Sequence, residues 1–260
     1  GNKVHQEANC GKLLEPGLRK LFYETFDEVP EQYSKIFHVK NSKKAREVDY
    51  GLGAMPIWAE FGTAISSDLS GTAVTTGEMP TVPYVTIPAG LERIYVHKEF
   101  AQGFMVERKM VDDEQYGVIE KMPKDLARAG RYKVEMDAVS LLKNGFTVNG
   151  YDGKPLFAAD HPLLGGGTCS NLIEGELNVE NLQKAIIAMR SIKDEAGKKV
   201  VFKADTLVVL PALEFKAIEL LNSTNQPDSE LNNVNSIRGK LKIVVMEFLE
   251  SDTAWFVMDS

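Results

Sequence analysis

The N-terminal part of the chain has its apolar residues near helical spacing. From Glu15 to Tyr33 this spacing predicts a short helix, with Pro16 in its first turn and an end near Pro30. An extended arm is expected to follow through Val48.

The next part of the chain alternates between loop and strand patterns. Residues 50–88 are rich in glycine and proline, and residues 63–77 are small and polar, so we expect a protruding loop with a mobile tip. Residues 91–100 and 103–108 have strand character, and Gln102-Gly103 between them can form a tight turn. The pattern therefore predicts a long β-hairpin that follows a flexible tip.

A long helical pattern covers residues 111–146. Asp112 and Asp113 suit its first turn, Pro123 predicts a break or kink, and Asn144-Gly145 is a typical helix end. Apolar residues form two neighbouring stripes along it. The opposite face is expected to be charged and exposed, and it comprises Lys124, Asp125, Arg128, Arg131, Lys133 and Glu135.

After a connector rich in glycine and proline the pattern becomes α/β. Asn178 is expected to cap a helix over 178–190, and Pro211 to open a second helix over 212–221. Three apolar runs predict strands, at 206–210, 241–246 and 254–258. A polar loop separates the second helix from the second strand and covers residues 222–235.

Composition narrows the possible functions. The 260 residues carry a net charge of −7, which argues against nucleic acid as the primary ligand because such proteins usually present a basic face. Cys10 and Cys169 are too far apart for a zinc or redox motif, so two reduced thiols are expected. No apolar run is long enough to span a membrane.

One residue pair resembles a chemical site. Asp160 and His161 could orient a general base or bind a metal, but adjacent side chains of an extended chain point in opposite directions. We favour a structural turn, with the Asp160 carboxylate accepting backbone N–H groups and Pro162 stiffening the exit. The glycines at 165–167 lack the Lys-Ser/Thr pair of a phosphate loop and are interpreted as a hinge. No catalytic residue, metal or cofactor is predicted.

The two tryptophans have different contexts. Trp255 lies within an apolar strand and is expected in the core. Trp58 lies in the segment rich in proline and glycine, where core packing and anchoring to a neighbouring subunit are equally reasonable interpretations.

Six segments in order along the chain resemble the major capsid proteins of tailed bacteriophages, and within them the Mu-type major head subunits. The segments are VDYGLG (48–53), LERIYVHKEF (91–100), VDD (111–113), GKPLFAADHP (153–162), VVLPAL (208–213) and AWFV (254–257). The resemblance covers most of the chain, and it is the series, rather than any one segment, that is specific.

The resemblance implies an α+β fold of the tailed-phage capsid type. It places an N-terminal helix and arm at 1–49, an extended β loop at 50–110, the spine helix of a peripheral domain at 111–150 and an α/β axial domain at 151–260. Such proteins normally continue with strands that return to the peripheral domain, and these are expected to be missing here. Candidate contacts between subunits are Trp58, Arg93, Tyr95, Asn225, Gln226 and Pro227.

The resemblance also implies a function. The expected protein is not an enzyme; it is made in the bacterial cytoplasm and assembles as pentamers and hexamers into an icosahedral shell, in the virion head, around double-stranded DNA that it does not recognise specifically. Scaffold, portal and maturation protease are expected partners, and no membrane is involved. The alternatives are an encapsulin-type compartment, which shares the fold and encloses enzymes, and a hydrolase that uses Asp160 and His161.

Overall fold

The computed structural model describes residues 2–52, 64–65, 73–74, 89–113, 115–150, 152–163, 166–194, 198–227, 233–251 and 253–259. The chain divides into two compact units. We call Gly1–Lys40 with Lys98–Ser140 the helical unit, and Asn41–His97 with Leu141–Ser260 the sheet unit.

The helical unit begins with α1, Asn2–Glu28, which is followed by a 3₁₀ turn at Tyr33–Lys35. The prediction of a short helix with Pro16 in its first turn was wrong, because Pro16 lies inside α1. The segment before it contains Lys, Gln, Glu, Ala and Leu, which have high helix propensity and favour extension of the helix toward the N-terminus.

Two helices replace the single helix predicted for 111–146. They are α2, Arg108–Asp112, and α3, Tyr116–Asn144. Asp112 ends α2 and Asp113 is its C-cap, so their predicted place in a first helical turn was wrong. The helix is also continuous through Pro123, which removes one N–H donor near the start of α3, whereas the predicted end at Asn144 is confirmed.

The buried side of α3 differs from the predicted one. It follows a spacing of three to four residues, with Arg131 and Glu135 between apolar neighbours, and comprises Ile119, Pro123, Ala127, Arg131, Glu135, Val139 and Leu142. Arg131 is 6% exposed and Glu135 is 2% exposed, so the prediction that both lie on a solvated face was wrong. Their burial is explained by the groups that they bind, described below.

A two-stranded antiparallel ladder belongs to the sheet unit. It joins β1, Arg46–Leu52, to β4, Ala89–Val96, with Arg46 opposite Val96 and an irregularity between Tyr50 and Leu52. The predicted hairpin between 91–100 and 103–108 was wrong, because β4 pairs with β1 and residues 97–107 form no regular element. Two further short strands pair with each other, β2 at Ala64–Ile65 and β3 at Ala73–Val74. The rest of the predicted mobile tip lies outside the described residues.

The core of the sheet unit is a three-stranded sheet. Its central strand β7, Thr206–Val209, pairs in parallel with β8, Lys242–Val245, and antiparallel with β9, Trp255–Met258. Before it come β5, His161–Pro162, β6, Thr168–Cys169, and α4, Val179–Arg190. A 3₁₀ turn at Pro211–Leu213 leads into α5, Glu214–Asn222. These helices and strands confirm the predicted α/β order.

The two helices cover one face of this sheet. Leu207 and Val209 of β7 pack there with Leu182 and Ile186 of α4 and with Leu220 of α5. The predicted cap of α4 is confirmed: the Asn178 side chain accepts a hydrogen bond from the Asn181 N–H at 2.7 Å. Trp255 is partly buried against this core, and its ring N–H donates to the Gly175 carbonyl at 3.1 Å.

An aromatic cluster connects the last turn of α3 to β9 within the sheet unit. Phe157 lies between Phe146 and Phe256, with ring centroids 4.9 and 5.1 Å away. Gly145, directly after α3, lies so close to Phe157 that a Cβ atom there would be 2.7 Å from the ring. This position therefore requires glycine for space.

Candidate functional site

Glu135 of α3 binds the backbone at the start of the 3₁₀ turn within the helical unit. Its two carboxylate oxygens accept hydrogen bonds from the backbone N–H groups of Gln32 at 2.7 Å and Tyr33 at 3.0 Å. These N–H groups begin the 3₁₀ turn, where no carbonyl of the same turn can receive them. The buried carboxylate thus satisfies backbone donors, which is why its burial is tolerated.

Arg131, one helical turn earlier, binds the end of α1. Its Nε and Nη2 donate to the Phe26 carbonyl at 3.2 and 3.1 Å, and its Nη1 donates to Glu31 at 2.7 Å. The guanidinium also lies 4.1 Å from the centroid of the Phe26 ring. A positive charge at the last carbonyls of a helix is favoured by the helix dipole.

We call Arg131 and Glu135 together the polar clamp. Sequence reasoning missed it because charged residues on a helix are usually solvated. The pattern that could have revealed it is the spacing of four residues that continues from Ile119 through Pro123 and Ala127 to Val139, on which both charges lie.

The helical unit also contains a wide apolar groove of about 1760 Å³. Its apolar lining comes from α1, from the segment before α2 and from α3, and includes Leu18, Phe22, Phe100, Phe104, Val106 and Leu126. Soluble monomers rarely expose apolar surfaces of this kind, so the groove is a candidate contact surface.

The sheet unit contains a hydrogen-bonded chain of three side chains, which we call the Asp–His–Asn network. The Nδ1 of His161 lies 2.6 Å from Oδ2 of Asp152, and its Nε2 lies 3.2 Å from Oδ1 of Asn171. The Asn171 orientation is defined by its other bonds, since Oδ1 accepts from the Ala158 N–H at 2.9 Å and Nδ2 donates to the Leu156 carbonyl at 2.7 Å.

These contacts define what His161 can do. Both of its ring nitrogens already have side-chain partners, Nδ1 with Asp152 and Nε2 with Asn171. The ring is therefore held in a hydrogen-bond network rather than presented to a substrate or a metal. Burial of Asp152 disfavours its charged form, but the hydrogen bonds from His161 and from the Lys154 backbone N–H outweigh it. They hold the pKa of Asp152 below its ordinary value of 3.8.

The predicted role of Asp160 was wrong. Its carboxylate pairs with the Lys154 ammonium group, and it is Asp152 that accepts the backbone N–H, from Lys154 at 3.1 Å. Strands β5 and β6 pair antiparallel, with His161 opposite Cys169. Gly166 and Gly167, just before β6, have φ of 87° and 88°, which suits glycine.

The predicted contact residues are distributed over the sheet unit. Trp58 lies outside the described residues. Arg93 lies on β4 opposite Asp49, and Tyr95 lies opposite Glu47 with its side chain 54% exposed.

The other three predicted contact residues follow α5. Asn225 is exposed, while Gln226 and Pro227 are half-buried. The Gln226 N–H donates to the Asn233 carbonyl at 2.8 Å, which closes the loop at its described base. That any of these residues contacts another subunit remains a prediction.

Among the described residues, no group of three or more His, Cys, Asp and Glu side chains is arranged to hold a metal ion. No helix among the same residues is long and apolar enough to cross a membrane.

Comparison with known proteins gives a consistent result. The sequence model of a family described as "Phage capsid protein" matches residues 90–260. The chain is 23% identical to the major capsid protein of Escherichia phage Mu, over 92% of this chain and 97% of that protein. It is 22% identical to the Mu-like prophage FluMu major head subunit of Haemophilus influenzae, with the same coverage.

Solved structures show a similar fold. The procapsid subunit of bacteriophage JBD30 superposes with a TM-score of 0.67 at 18% identity, covering 93% of this chain and 99% of that one. The JBD30 capsid decorated with minor capsid protein trimers gives a TM-score of 0.63 at 17% identity, covering 85% and 92%. At such low identities the likeness establishes the fold, a mixed α+β architecture.

Proposed function

Because the chain belongs to the phage capsid protein family, we propose that it builds its shell from rings of five and six copies that enclose double-stranded DNA. The chain is a major capsid subunit of a phage head and a component of the virion. The family is structural, so the prediction that the chain is not an enzyme is confirmed. The match over residues 90–260 is the single observation that carries this conclusion.

The parts of the chain are assigned by their resemblance to the family. Residues 1–49 are proposed to be the N-terminal helix and arm, 50–110 the extended β loop, 111–150 the spine helix and 151–260 the axial domain. The ladder of β1 with β4, the 29 residues of α3 and the α/β order of the sheet unit support this assignment.

Contacts between copies are proposed to cover the exposed apolar groove and the predicted contact residues. The size and composition of the groove support this role, because shell assembly buries apolar surface that an isolated subunit leaves in water. The JBD30 capsid binds minor capsid protein trimers, and we propose a comparable decorating partner here. Scaffold, portal and maturation protease complete the proposed partners.

The chain's negative charge suits a container for DNA. A shell that attracted DNA strongly would hinder packaging and release, because phosphate contacts dominate the affinity of nucleic-acid-binding proteins. The packaged DNA is therefore proposed to be held without specific recognition.

Electron microscopy tests the proposal. The chain is expressed with its scaffold, and particles are purified, imaged and analysed for content. Closed shells are expected, and shells made during infection should contain phage DNA. Enzyme cargo in place of DNA would favour an encapsulin-type compartment.

Deleting residues 62–77 should spare folding of the subunit and alter assembly, so normal shells from that variant would contradict an assembly role for the loop tip.

A further inference from the structure

Two exposed surfaces of the sheet unit have complementary chemistry. The basic surface consists of Val201 and Phe202 with Lys193, Lys199 and Lys203, all exposed. The acidic surface consists of Phe215 and Ile218 with Glu214 and Glu219 on α5. Val201 is 87% exposed and Phe215 is 80% exposed, so each surface presents a large apolar side chain to water.

The basic surface brings two lysines together. Residues 192–194 pair with residues 198–200, and the Val200 N–H donates to the Ile192 carbonyl at 3.0 Å. Lys193 and Lys199 form an antiparallel bridge there, so two like charges lie opposite each other. Such a pair is stabilised by negative charge near it. Asp194, next to Lys193 in sequence, is half-buried and accepts the Lys198 N–H at 2.7 Å, and carboxylates of a neighbouring copy would add further negative charge.

The acidic surface is the outward side of α5. Ala217, Leu220 and Leu221 face the core, which leaves Phe215, Ile218 and Glu219 exposed on the other side of the helix. Glu219 is exposed, and Glu214 is half-buried, as is Lys216, the single basic residue of α5. An aromatic anchor beside carboxylates is a suitable counterpart for an apolar segment beside lysines.

The two surfaces flank β7 in sequence. The basic surface comes directly before β7 and is close to the end of β9, where the Lys203 N–H donates to Asp259 at 3.0 Å. The acidic surface follows β7, on a helix that packs against β8. Because they are different surfaces of one chain, the basic surface of one copy can meet the acidic surface of the next.

We propose that the basic surface of each subunit binds the acidic surface of its neighbour, and that this contact joins adjacent copies within a ring. A ring requires such a head-to-tail contact, in which different surfaces of identical subunits meet. The inference rests on the proposed ring assembly and adds the residues that would form it. The apolar side chains supply burial, and the charges select the orientation.

Charge reversal tests the contact in the full chain. Lys193→Glu with Lys199→Glu, and separately Glu214→Lys with Glu219→Lys, should each reduce the yield of shells at least about tenfold, since like charges facing each other cost more than the 1.4 kcal/mol of a factor of ten. Combining all four substitutions should restore the yield to within about twofold of wild type. Glu174→Lys with Glu176→Lys, an equal change at exposed positions elsewhere in the sheet unit, should assemble normally.

The outcomes distinguish a wrong contact from a wrong ring assembly and from a misfolded variant. Wild-type yield from both reversed variants, or a combined variant as defective as its parents, would overturn the contact while leaving the shell function intact. Absence of shells from the wild-type chain with its scaffold would instead count against the proposed ring assembly. The unfolding temperature of each variant subunit must match wild type, which shows that lost assembly does not reflect lost folding.

Disulfide trapping provides a readout that does not depend on shell yield. In a background of Cys10→Ser and Cys169→Ser, a chain carrying both Val201→Cys and Ile218→Cys should form oxidised ladders longer than a dimer. Each single-cysteine variant should remain monomeric. Dimers from a single-cysteine variant would show a two-fold contact at that surface, and a double variant that stays monomeric in assembled shells would refute the proposal.

Discussion

The helical unit and the sheet unit are stabilised by different kinds of buried residue. The sheet unit has an apolar core in which Leu207 and Val209 of β7 pack under two helices. In the helical unit, two charged side chains of α3, Arg131 and Glu135, bind the end of α1 and the turn after it. Apolar burial is general and tolerant of detail, whereas a buried polar contact depends on each partner being present.

The two units also differ in what they expose. The sheet unit covers its sheet with its own helices, while the helical unit leaves an apolar groove lined by residues of α1 and α3. A subunit that assembles can complete the core of one unit by itself and still leave apolar surface in both units for its neighbours. We expect the two units to be stabilised independently.

The largest effect is expected in the sheet unit. Leu207 is fully buried, so Leu207→Ala should lower the free energy of unfolding by about 4 kcal/mol through lost burial and a cavity. Hydrogen exchange should show the loss of protection in the sheet unit alone. Ile187→Ala, at an exposed position on α4, is the control and should change stability little. Equal loss of protection in the helical unit would show that the units unfold together.

The second effect should be confined to the helical unit. Glu135→Ala leaves the N–H groups of Gln32 and Tyr33 without their acceptor and should cost about 3 kcal/mol, measured by denaturant unfolding of the unassembled subunit. Glu120→Ala, at an exposed position of the same helix, should be nearly neutral. If the two variants unfold alike, the polar clamp does not stabilise the turn that follows α1.

The sequence predicts more of the sheet unit than of the helical unit, because apolar packing follows local patterns and buried polar contacts do not. In the sheet unit, runs such as residues 207–210 are apolar throughout, and Asn178 precedes a helical pattern, so strands, helices and cap followed from local rules. In the helical unit, the burial of Arg131 and Glu135 depends on partners a hundred residues away. No local sequence pattern identifies those partners.

Strand pairing also depends on residues that are distant in sequence. The strand character of residues 91–96 was evident, but their partner is Arg46–Leu52, across some forty residues of chain, and not the neighbouring residues 103–108. That the His161 site is structural rather than catalytic stays a prediction. Its partners Asp152 and Asn171 were not predicted, because turns bring them together from nine and ten residues away.

The third effect concerns the link between α3 and the sheet within the sheet unit. Gly145→Ala would place a Cβ atom 2.7 Å from the Phe157 ring, which must move away from Phe146 and Phe256. Overpacking of this kind should cost about 2 kcal/mol. Gly117→Ala is the matched control, since no atom lies within 4 Å of its Cβ position in α3, and it should be neutral or slightly stabilising. A neutral Gly145→Ala would show that the aromatic cluster adapts without strain.

The smallest effect is expected at the Asp–His–Asn network, and it should depend on pH. His161→Ala removes two hydrogen bonds and should cost about 1 kcal/mol at pH 7, without loss of any reaction.

The pKa of Asp152 is lower in the folded chain than its ordinary value of 3.8. The stability that ionised Asp152 contributes is therefore present above that value and is lost as the pH falls through the folded pKa. Because His161 is a main cause of that lowering, the stability difference between wild type and His161→Ala should shrink below about pH 4, as measured by urea unfolding from pH 2.5 to 7. His38→Ala, an exposed histidine of the helical unit, should show no such difference at either end of the range. A difference that persists undiminished at pH 2.5 would mean that packing of the ring, and not its bond to Asp152, accounts for the contribution of His161.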